Sequence, residues 1–273
     1  MIQEFTNYLV NIKGYSSNTA LAYAKDIRAF AKWMRQQHED ARWSAVKREH
    51  LDAYLTVCSA AGLRPSTTNR RLSAISALYN WMKRNGKDVD NPCKYESRRK
   101  IGKSIPNTIN EQELKTAYEH AHGAARLMIG ILATTGVRVQ EMLDMMWEDI
   151  DFDLGSIKIK GKGAKERVVY STAEVLAVLR GVTEYRSPRG RVFSIEQREA
   201  RIILWRALKP YCRAKQLSPH AIRHTVATQL ARNGANVTTI AAILGHERLE
   251  TTQHYIDITQ TDVRTTLINN AIV

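Results

Sequence analysis

The sequence predicts a mainly α-helical protein with one small antiparallel β-hairpin, in which an all-helical N-terminal domain precedes an α+β domain. Three observations support this fold class. Apolar residues recur at helical spacing along most of the 273 residues. Alternating apolar residues flank Gly161-Lys162-Gly163, which is the pattern of a hairpin. The helical pattern breaks between Asn91 and Asn110, where prolines and basic residues predict an extended linker.

The first ninety residues predict four helices and no strand. Apolar residues from Ile2 to Ile12 form one face of the first helix, Gly14 ends it, and Ser17 caps the second. The third and fourth helices are predicted over about residues 48–61 and 66–86. The predicted boundaries are 1–96 for the helical domain, 97–108 for a basic linker and 109–273 for the second domain.

The second domain predicts further helices on both sides of the hairpin. Ile157 and Ile159 lie on one predicted strand, and Val168 and Val169 lie on the other. A helix is also expected to begin near Arg138. The remaining predicted helices span about residues 111–121, 124–135, 173–181, 195–215, 220–233, 236–244 and 259–271.

The chain is strongly basic, which indicates a polyanionic partner. Its 41 Lys and Arg residues outnumber 27 Asp and Glu, giving a net charge of +14. Residues 1–110 hold 19 basic and 9 acidic side chains, so most of the excess lies in the first domain and the linker. Nucleic acid is the leading partner and an anionic membrane surface the second, while a basic surface kept only for solubility is the remaining alternative.

Candidate DNA contacts lie on one face of the fourth helix, in the linker and in the hairpin. A mixture of arginine, hydroxyl and amide side chains suits phosphate and base-edge contacts, although a solvated basic face has the same composition. The candidates are Arg64, Thr67, Asn69, Arg70, Arg71 and Lys83 on the helix, Arg98, Arg99, Lys100 and Lys103 in the linker, and Lys165 in the hairpin.

Composition and motifs exclude several other classes of protein. The three cysteines are widely spaced, so they form neither a disulfide framework nor a four-thiolate zinc site. The sequence has no signal peptide and no apolar run of about 20 residues, so a soluble cytoplasmic, nucleoid-associated protein is expected. GxxxxGK[ST], HExxH and GxSxG are all absent, and we therefore expect no nucleotide cofactor and no metal.

Four short segments hold the remaining residues that could perform chemistry. Each has a structural explanation on its own. An early helical arginine pairs with a glutamate three residues later, a hairpin lysine is solvated, a histidine caps a helix, and a tyrosine packs in a core. The segments are 135–141 with Arg138 and Glu141, the hairpin with Lys162, 219–225 with His220 and Arg223, and 244–255 with His246 and Tyr255.

Taken together and in this order, the four segments resemble the active site of the tyrosine recombinase (phage integrase) family. The order arginine, hairpin lysine, His-x-x-Arg, Gly-His and tyrosine is matched at every position, with 24 residues from Arg138 to Lys162 and nine from His246 to Tyr255. The resemblance covers the whole chain and is strongest to two-domain Xer-type recombinases, so the arm-binding domain of larger phage integrases is not expected. It implies a core-binding, SAM-like first domain and a recombinase catalytic domain with a C-terminal exchange helix at about residues 259–273.

The resemblance implies how the strand is cut. Tyr255 would attack phosphorus and form a 3′-phosphotyrosyl bond, with His220 as the base. Arg138 and Arg223 would clamp the phosphate, because a reaction without metal needs other cations to stabilise the transition state. Lys162 would protonate the departing 5′-oxygen.

Two further residues have supporting roles by the same resemblance. His246 would hydrogen-bond a non-bridging phosphate oxygen, and Glu141 would orient the histidine or the arginine. Religation needs no cofactor, because the phosphotyrosyl ester retains the free energy of the phosphodiester bond.

The implied partners are double-stranded DNA recombination sites and other copies of the chain, four of which would assemble on two sites and exchange strands through a four-way junction. The C-terminal helix would dock into a neighbouring subunit or pack on its own domain. A second recombinase or an accessory protein is also compatible with the sequence. Two other functions stay open: a DNA-binding accessory protein of this fold without strand exchange, and a type IB topoisomerase-like relaxing enzyme. The sequence does not distinguish integration, excision, inversion and dimer resolution.

Overall fold

The computed structural model describes residues 1–94, 106–161, 165–183, 189–246 and 249–259. The chain divides into two compact units, Met1–Lys103 and Ser104–Val273, each with hydrophobic core residues of its own. Most of the predicted linker at 97–108 lies outside the described residues, so its extended form stays a prediction.

Within residues 1–94 the N-terminal unit has four α-helices, as the apolar spacing predicts. The predicted cap of the second helix is wrong by one residue. Ser16 has the extended backbone, and its hydroxyl oxygen accepts the Thr19 N–H at 3.2 Å. The helices are α1 (Ile2–Asn11), α2 (Ser17–Gln37), α3 (Arg48–Ala60) and α4 (Pro65–Arg84), with a short 3-10 helix at Trp43–Ala45.

Helices α2 and α4 pack against each other and bury the core of this unit. Ile27 and Phe30 of α2 and Ile75 of α4 are fully buried. The ring of Phe30 meets that of Tyr54 in α3 edge to face, with centroids 5.0 Å apart. This packing fixes the rotation of α4 about its axis and therefore which of its polar residues face solvent.

The second unit is helical around a small sheet, which confirms the predicted fold class. A further 3-10 helix spans Trp147–Asp149. The α-helices in the described part of this unit are α5 (Glu111–His120), α6 (Gly123–Thr135), α7 (Val139–Leu143), α8 (Ala173–Thr183), α9 (Gln197–Leu208), α10 (Pro219–Arg232), α11 (Val237–Leu244) and α12 (Glu250–Thr259).

The sheet is antiparallel with strand order β1 (Ile150–Asp151), β2 (Ser156–Lys160) and β3 (Glu166–Tyr170). The predicted hairpin corresponds to β2 and β3. Ile157 pairs with Val169 and both are buried, while Val168 faces solvent. The alternation of buried and exposed residues therefore sets the face of β3 that meets the helices.

One predicted helix differs from the structure, and two elements of the structure were not predicted. The helix predicted over 195–215 ends at Leu208, because Pro210 has no backbone N–H to continue the helical hydrogen bonds. Strand β1 has two residues, which is too short for an alternating pattern. Helix α12 was not predicted, since its first turn is polar, and the helix predicted at 259–271 lies almost wholly outside the described residues.

Helices α6 and α11 end close to each other. Gly136 follows α6 with φ +62°, and Gly245 follows α11 with φ +65°. A Cβ at Gly136 would approach Leu244 Cδ2 to 2.7 Å, so only glycine suits this crossing. The approach brings Arg138, which starts the next helix, to the carbonyl of Gly245. Across the described residues, no helix is long and apolar enough to cross a membrane.

Candidate active site

Arg138 stands at the N-terminus of α7 and is held by a buried carboxylate. Its backbone N–H and its Nη1 donate to the two oxygens of Glu141, at 2.8 and 2.7 Å. The Glu141 side chain is 7% exposed and that of Arg138 is 39% exposed. Burial alone would raise the pKa of Glu141, but hydrogen bonds from Arg167 and Arg138 outweigh it and lower the pKa. Glu141 is therefore ionised, and it leaves part of the Arg138 guanidinium open to solvent.

Arg223 lies within α10 and is only 4% exposed. Its Nη1 donates to the carbonyl of Gly136 at 2.7 Å, and its Nη2 donates to the carbonyl of Leu244 at 2.8 Å. Burial and the charge of Arg138 lower the pKa of Arg223 to about 10, which leaves the guanidinium charged at neutral pH. A buried cation held by neutral carbonyls favours the approach of an anion.

Three arginines from three different elements meet at the C-terminal end of α11. The carbonyl of Ile243 accepts from Arg167 Nε at 3.0 Å, that of Leu244 accepts from Arg223, and that of Gly245 accepts from Arg138 at 2.9 Å. The last carbonyls of a helix have no partner within the helix and carry the negative end of its dipole. The end of α11 therefore gathers positive charge around a single point.

His246 follows this helix end and is oriented by α12. Its Nδ1 lies 2.7 Å from the hydroxyl oxygen of Thr252, a fully buried residue. Burial and the charges of Arg223 and Arg138 lower the pKa of His246 to about 4, so the ring is neutral at pH 7. When the Thr252 hydroxyl donates to Nδ1, the neutral ring carries its proton on Nε2 and can donate it to a phosphate oxygen.

Tyr255 lies on α12 and its hydroxyl oxygen is 2.6 Å from Nδ1 of His224. The tyrosine is 3% exposed, and its ring is nearly parallel to that of His246 at a centroid distance of 6.5 Å. Burial raises the pKa of Tyr255, and the charge of Arg223 partly offsets this rise. The hydroxyl therefore needs a proton acceptor before it can attack, and His224 is within hydrogen-bond distance.

His220, the predicted base, lies one turn before His224 on α10. The centroids of the two rings are 6.4 Å apart. Partial burial of the ring and the charges of Arg223 and Arg201 lower the pKa of His220. Its ring is therefore neutral at pH 7, as a base must be, while the residue whose Nδ1 lies within hydrogen-bond distance of the Tyr255 hydroxyl is His224. The role of His220 stays a prediction.

Residues 162–164 of the hairpin and residues 97–105 of the predicted linker lie outside the part of the chain that the structure describes. Lys162, Arg98, Arg99, Lys100 and Lys103 belong to residues that the structure does not describe. Lys165 is exposed, and its carbonyl accepts the Gly161 N–H at 2.8 Å where the strands of the hairpin begin to pair.

The predicted DNA contacts on α4 differ in burial and pairing. Arg64 is exposed just before the helix, and Thr67 and Asn69 are partly buried. Arg70 donates to both oxygens of the buried Asp26, at 2.8 and 3.1 Å.

Two other basic residues of this set also have partners within the unit. Arg71 donates to the Tyr54 hydroxyl at 2.8 Å and to Cys58 Sγ at 3.2 Å. Lys83 lies 3.7 Å from the carboxylate of Asp90 at the surface. Arg71 therefore helps to hold α4 against α3, whatever else it contacts.

Three residues of the site were not selected from the sequence. Arg167 shares the inner face of β3 with Val169, and a charged residue at such a position could have signalled a buried partner. His224 lies four residues after His220 on one face of α10. Thr252 precedes Tyr255 by three residues, but this spacing has meaning only once α12 is known to be a helix.

The described residues contain no group of three or more His, Cys, Asp or Glu side chains that could hold a metal ion. The groups that converge in this unit are instead guanidinium, imidazole, carboxylate and phenol.

Comparison with known proteins identifies the family. A model of the phage integrase family matches residues 107–262, and a model of the N-terminal SAM-like domain of phage integrases matches residues 2–86. The chain belongs to the phage integrase family. The resemblance drawn from the motif is therefore confirmed over both units.

Several relatives of this phage integrase family member are known by sequence. A tyrosine recombinase XerC of Pediococcus pentosaceus is 28% identical, with 95% of this chain and 94% of the relative covered. A tyrosine recombinase XerD of Proteus mirabilis is also 28% identical, with 94% of this chain and 88% of the relative covered.

Solved structures share the phage integrase fold. The XerH site-specific recombinase in a post-cleavage complex with a palindromic difH substrate has a TM-score of 0.79 at 20% identity, covering 97% of this chain and 84% of that chain. A lambda integrase (75–356) dimer bound to a COC′ core site has a TM-score of 0.72 at 17% identity, covering 94% of each chain. At these identities the likeness shows the fold.

Proposed function

We propose that this phage integrase family member is a site-specific tyrosine recombinase that cuts and rejoins DNA without metal or ATP. The reaction passes through a 3′-phosphotyrosyl intermediate and a four-way junction. The observation that carries the proposal is the hydrogen bond between Tyr255 and His224, on the helix that also holds the buried cation Arg223. The proposed nucleophile Tyr255, its proton acceptor and the phosphate-binding Arg223 are thus close together.

The arginines supply the positive charge that the phosphate requires. Attack on a phosphodiester builds negative charge on the non-bridging oxygens, and preorganised cations stabilise that charge. Arg223 is fixed by two carbonyls, and Arg138 is fixed by Glu141 and Gly245 while part of its side chain is open to solvent. Neutral His246 adds a hydrogen-bond donor to the same phosphate.

Tyr255 is the nucleophile of the proposal. Its proton passes to a neutral histidine as the oxygen attacks phosphorus and the bond to the 5′-oxygen breaks. His224 is hydrogen-bonded to the hydroxyl, and His220 is the base by family resemblance. Lys162 supplies the proton to the 5′-oxygen, a role that rests on the resemblance alone. Attack of a new 5′-hydroxyl on the phosphotyrosyl ester then rejoins the strand and frees the tyrosine.

The proposed partners follow from this chemistry. XerH and lambda integrase are solved with difH and core-site DNA, and the exposed Arg64 beside α4 supports DNA contacts by the first unit of this chain. Exchange between two sites requires four protomers, and we propose a tetramer on DNA with the C-terminal segment docked between subunits. The reaction would take place in the cytoplasm, where the DNA lies.

The test is formation of a covalent adduct on nicked DNA. We would incubate the protein with nicked fragments from the DNA flanking its own gene and measure adducts on denaturing gels. Wild type and Tyr170→Phe, a control at an exposed tyrosine, should form a 3′-phosphate adduct, whereas Tyr255→Phe should form none.

Other outcomes would contradict the proposal. An adduct with Tyr255→Phe would overturn the assignment of the nucleophile. Specific binding without an adduct would indicate the accessory protein. Relaxation of supercoils with no defined site would indicate the topoisomerase-like enzyme.

A further inference from the structure

Arg167 lies outside the residues that carry the family resemblance, yet it contacts two parts of the site. Its Nη2 and Nη1 donate to the two oxygens of Glu141, at 2.7 and 3.2 Å, and its Nε donates to the carbonyl of Ile243. Its side chain is 14% exposed. Because Arg167 belongs to β3, it ties the hairpin to α7 and to the end of α11.

The contacts of Arg167 and Arg138 form a closed arrangement. Both arginines donate to Glu141, and both donate to the end of α11, Arg167 at Ile243 and Arg138 at Gly245. The packing is tight, because a Cβ at Gly245 would lie 2.8 Å from Arg167 Nη1. A change at Arg167 therefore reaches Arg138 through Glu141 and through the helix end.

We propose that Arg167 is a positioning residue for DNA cleavage, which holds Glu141 so that Arg138 presents its guanidinium to the scissile phosphate. The inference rests on the proposed recombinase function and extends it to a residue of the hairpin strand. Arg167 itself need not touch DNA.

The carboxylate geometry explains why a second arginine is needed. A carboxylate accepts an arginine in a bidentate pair when both of its oxygens are available. Here Arg167 engages both oxygens, so the Arg138 side chain bonds Glu141 through Nη1 alone. Without Arg167, Arg138 would turn toward the carboxylate and away from the phosphate.

The net charge of Glu141 and its arginine partners also depends on Arg167. One carboxylate shared by two arginines leaves a net positive charge beside the phosphate, whereas Glu141 paired with Arg138 alone leaves none. Loss of Arg167 would therefore weaken phosphate neutralisation through both the position and the charge of the clamp.

The test compares a charged and a neutral phosphate at the cleavage site. Replacing one non-bridging oxygen by a methyl group gives a methylphosphonate, which carries no charge and so has less need of Arg138. We would measure single-turnover strand cleavage on both substrates at saturating protein for wild type, Arg167→Ala, Arg167→Lys and Arg138→Ala. Arg180→Ala, in an exposed ion pair of α8 with Asp153, is the matched control.

On the phosphate, Arg167→Ala should cleave about 100-fold more slowly than wild type, the size of effect expected when a catalytic group is misplaced by about 1 Å. Arg167→Lys should be intermediate, because an ammonium group cannot span both Glu141 oxygens and the Ile243 carbonyl. On the methylphosphonate, the cleavage rates of Arg167→Ala and Arg138→Ala should both lie within about tenfold of the wild-type rate. Arg180→Ala should match wild type on both substrates.

An equal loss of cleavage rate by Arg167→Ala on the two substrates would overturn the proposal. Such a loss would indicate a folding defect, because a folding defect does not depend on the charge of the substrate. Cleavage by Arg167→Ala at the wild-type rate would overturn it as well. If Arg167→Ala fails to fold, the same comparison is made with Arg167→Lys. Failure of the recombinase function itself is distinguishable, because wild type would then form no adduct on the phosphate.

Discussion

The hydroxyl oxygen of Tyr255 lies 2.6 Å from Nδ1 of His224, the residue that directly follows Arg223 on α10. One helix therefore supplies the hydrogen-bond partner of the proposed nucleophile and a buried cation for the phosphate. Since α10 and α12 pack side by side, their register decides whether the phenol meets the imidazole. The geometry makes His224 a candidate acceptor of the phenolic proton, beside the sequence-selected His220.

His224→Ala should slow DNA cleavage by Tyr255 by at least tenfold without weakening DNA binding. The reason is that a positioned base contributes about 10²–10⁴ in rate, while site recognition rests on other groups. Adduct formation on a nicked substrate and a binding titration, done on the same preparation, would check this. His220→Ala is the companion variant, and a His224→Ala enzyme within twofold of wild type would remove His224 from proton transfer.

Acid should destabilise the second unit through two of its histidines. Burial lowers the pKa of His246 from 6.5 to about 4 and also lowers the pKa of His220. Between pH 6.5 and pH 4 His246 binds more protons in the unfolded chain than in the folded one, so its contribution to the free energy of unfolding is fully present above about pH 6.5 and is lost toward pH 4. For His246 the loss is roughly 3 kcal/mol at most.

Urea unfolding at pH 7.5 and pH 5 would measure this loss. His246→Gln should show a smaller decrease between the two pH values than wild type. An unchanged decrease would show that His246 is not the group responsible.

Much of the fold follows from local patterns in the sequence, and the helix that carries the nucleophile does not. Apolar spacing predicts the helices around Ile27, Ile75 and Leu132, because each helix buries a face of apolar residues. Among the side chains of α12 that the structure describes, the buried ones are Thr252 and Tyr255, which have no apolar periodicity to detect.

The arginine and histidine positions of the site are visible as a motif, but their partners are not. The contacts of Arg167 to Glu141 and Ile243 join segments 26 and 76 residues away. They depend on the packing of β3 against α7 and α11, which the sequence does not give locally. The same holds for Arg70 and Asp26, 44 residues apart, where a predicted DNA contact also has a partner inside its own unit.

Thr252→Val should reduce cleavage about tenfold while leaving the fold intact. Valine has nearly the shape of threonine but no hydroxyl, so Nδ1 of His246 loses its partner and the neutral ring is no longer held with its proton on Nε2. The measurement is single-turnover cleavage together with thermal unfolding. Thr251→Val, at an exposed position of the same helix, is the control. A Thr252→Val rate equal to the control would contradict the proposed orientation of His246.

The basic residues of α4 and of the position just before it should separate into DNA contacts and structural groups. Arg64→Ala should weaken DNA binding and reduce the slope of log K against log salt concentration by about 1, because an exposed arginine at a phosphate releases counterions. Its thermal unfolding should match wild type.

Arg71→Ala should instead destabilise the first unit by about 1–3 kcal/mol, since it leaves the Tyr54 hydroxyl without its donor in a partly buried position. Its salt slope should stay near that of wild type as long as the protein is folded at the temperature of the titration. Binding isotherms over a range of salt concentrations, with a melting curve for each variant, would check both results. A reduced slope for a fully folded Arg71→Ala protein would show that this side chain reaches phosphate, and its contacts with Tyr54 and Cys58 would then be broken when DNA binds.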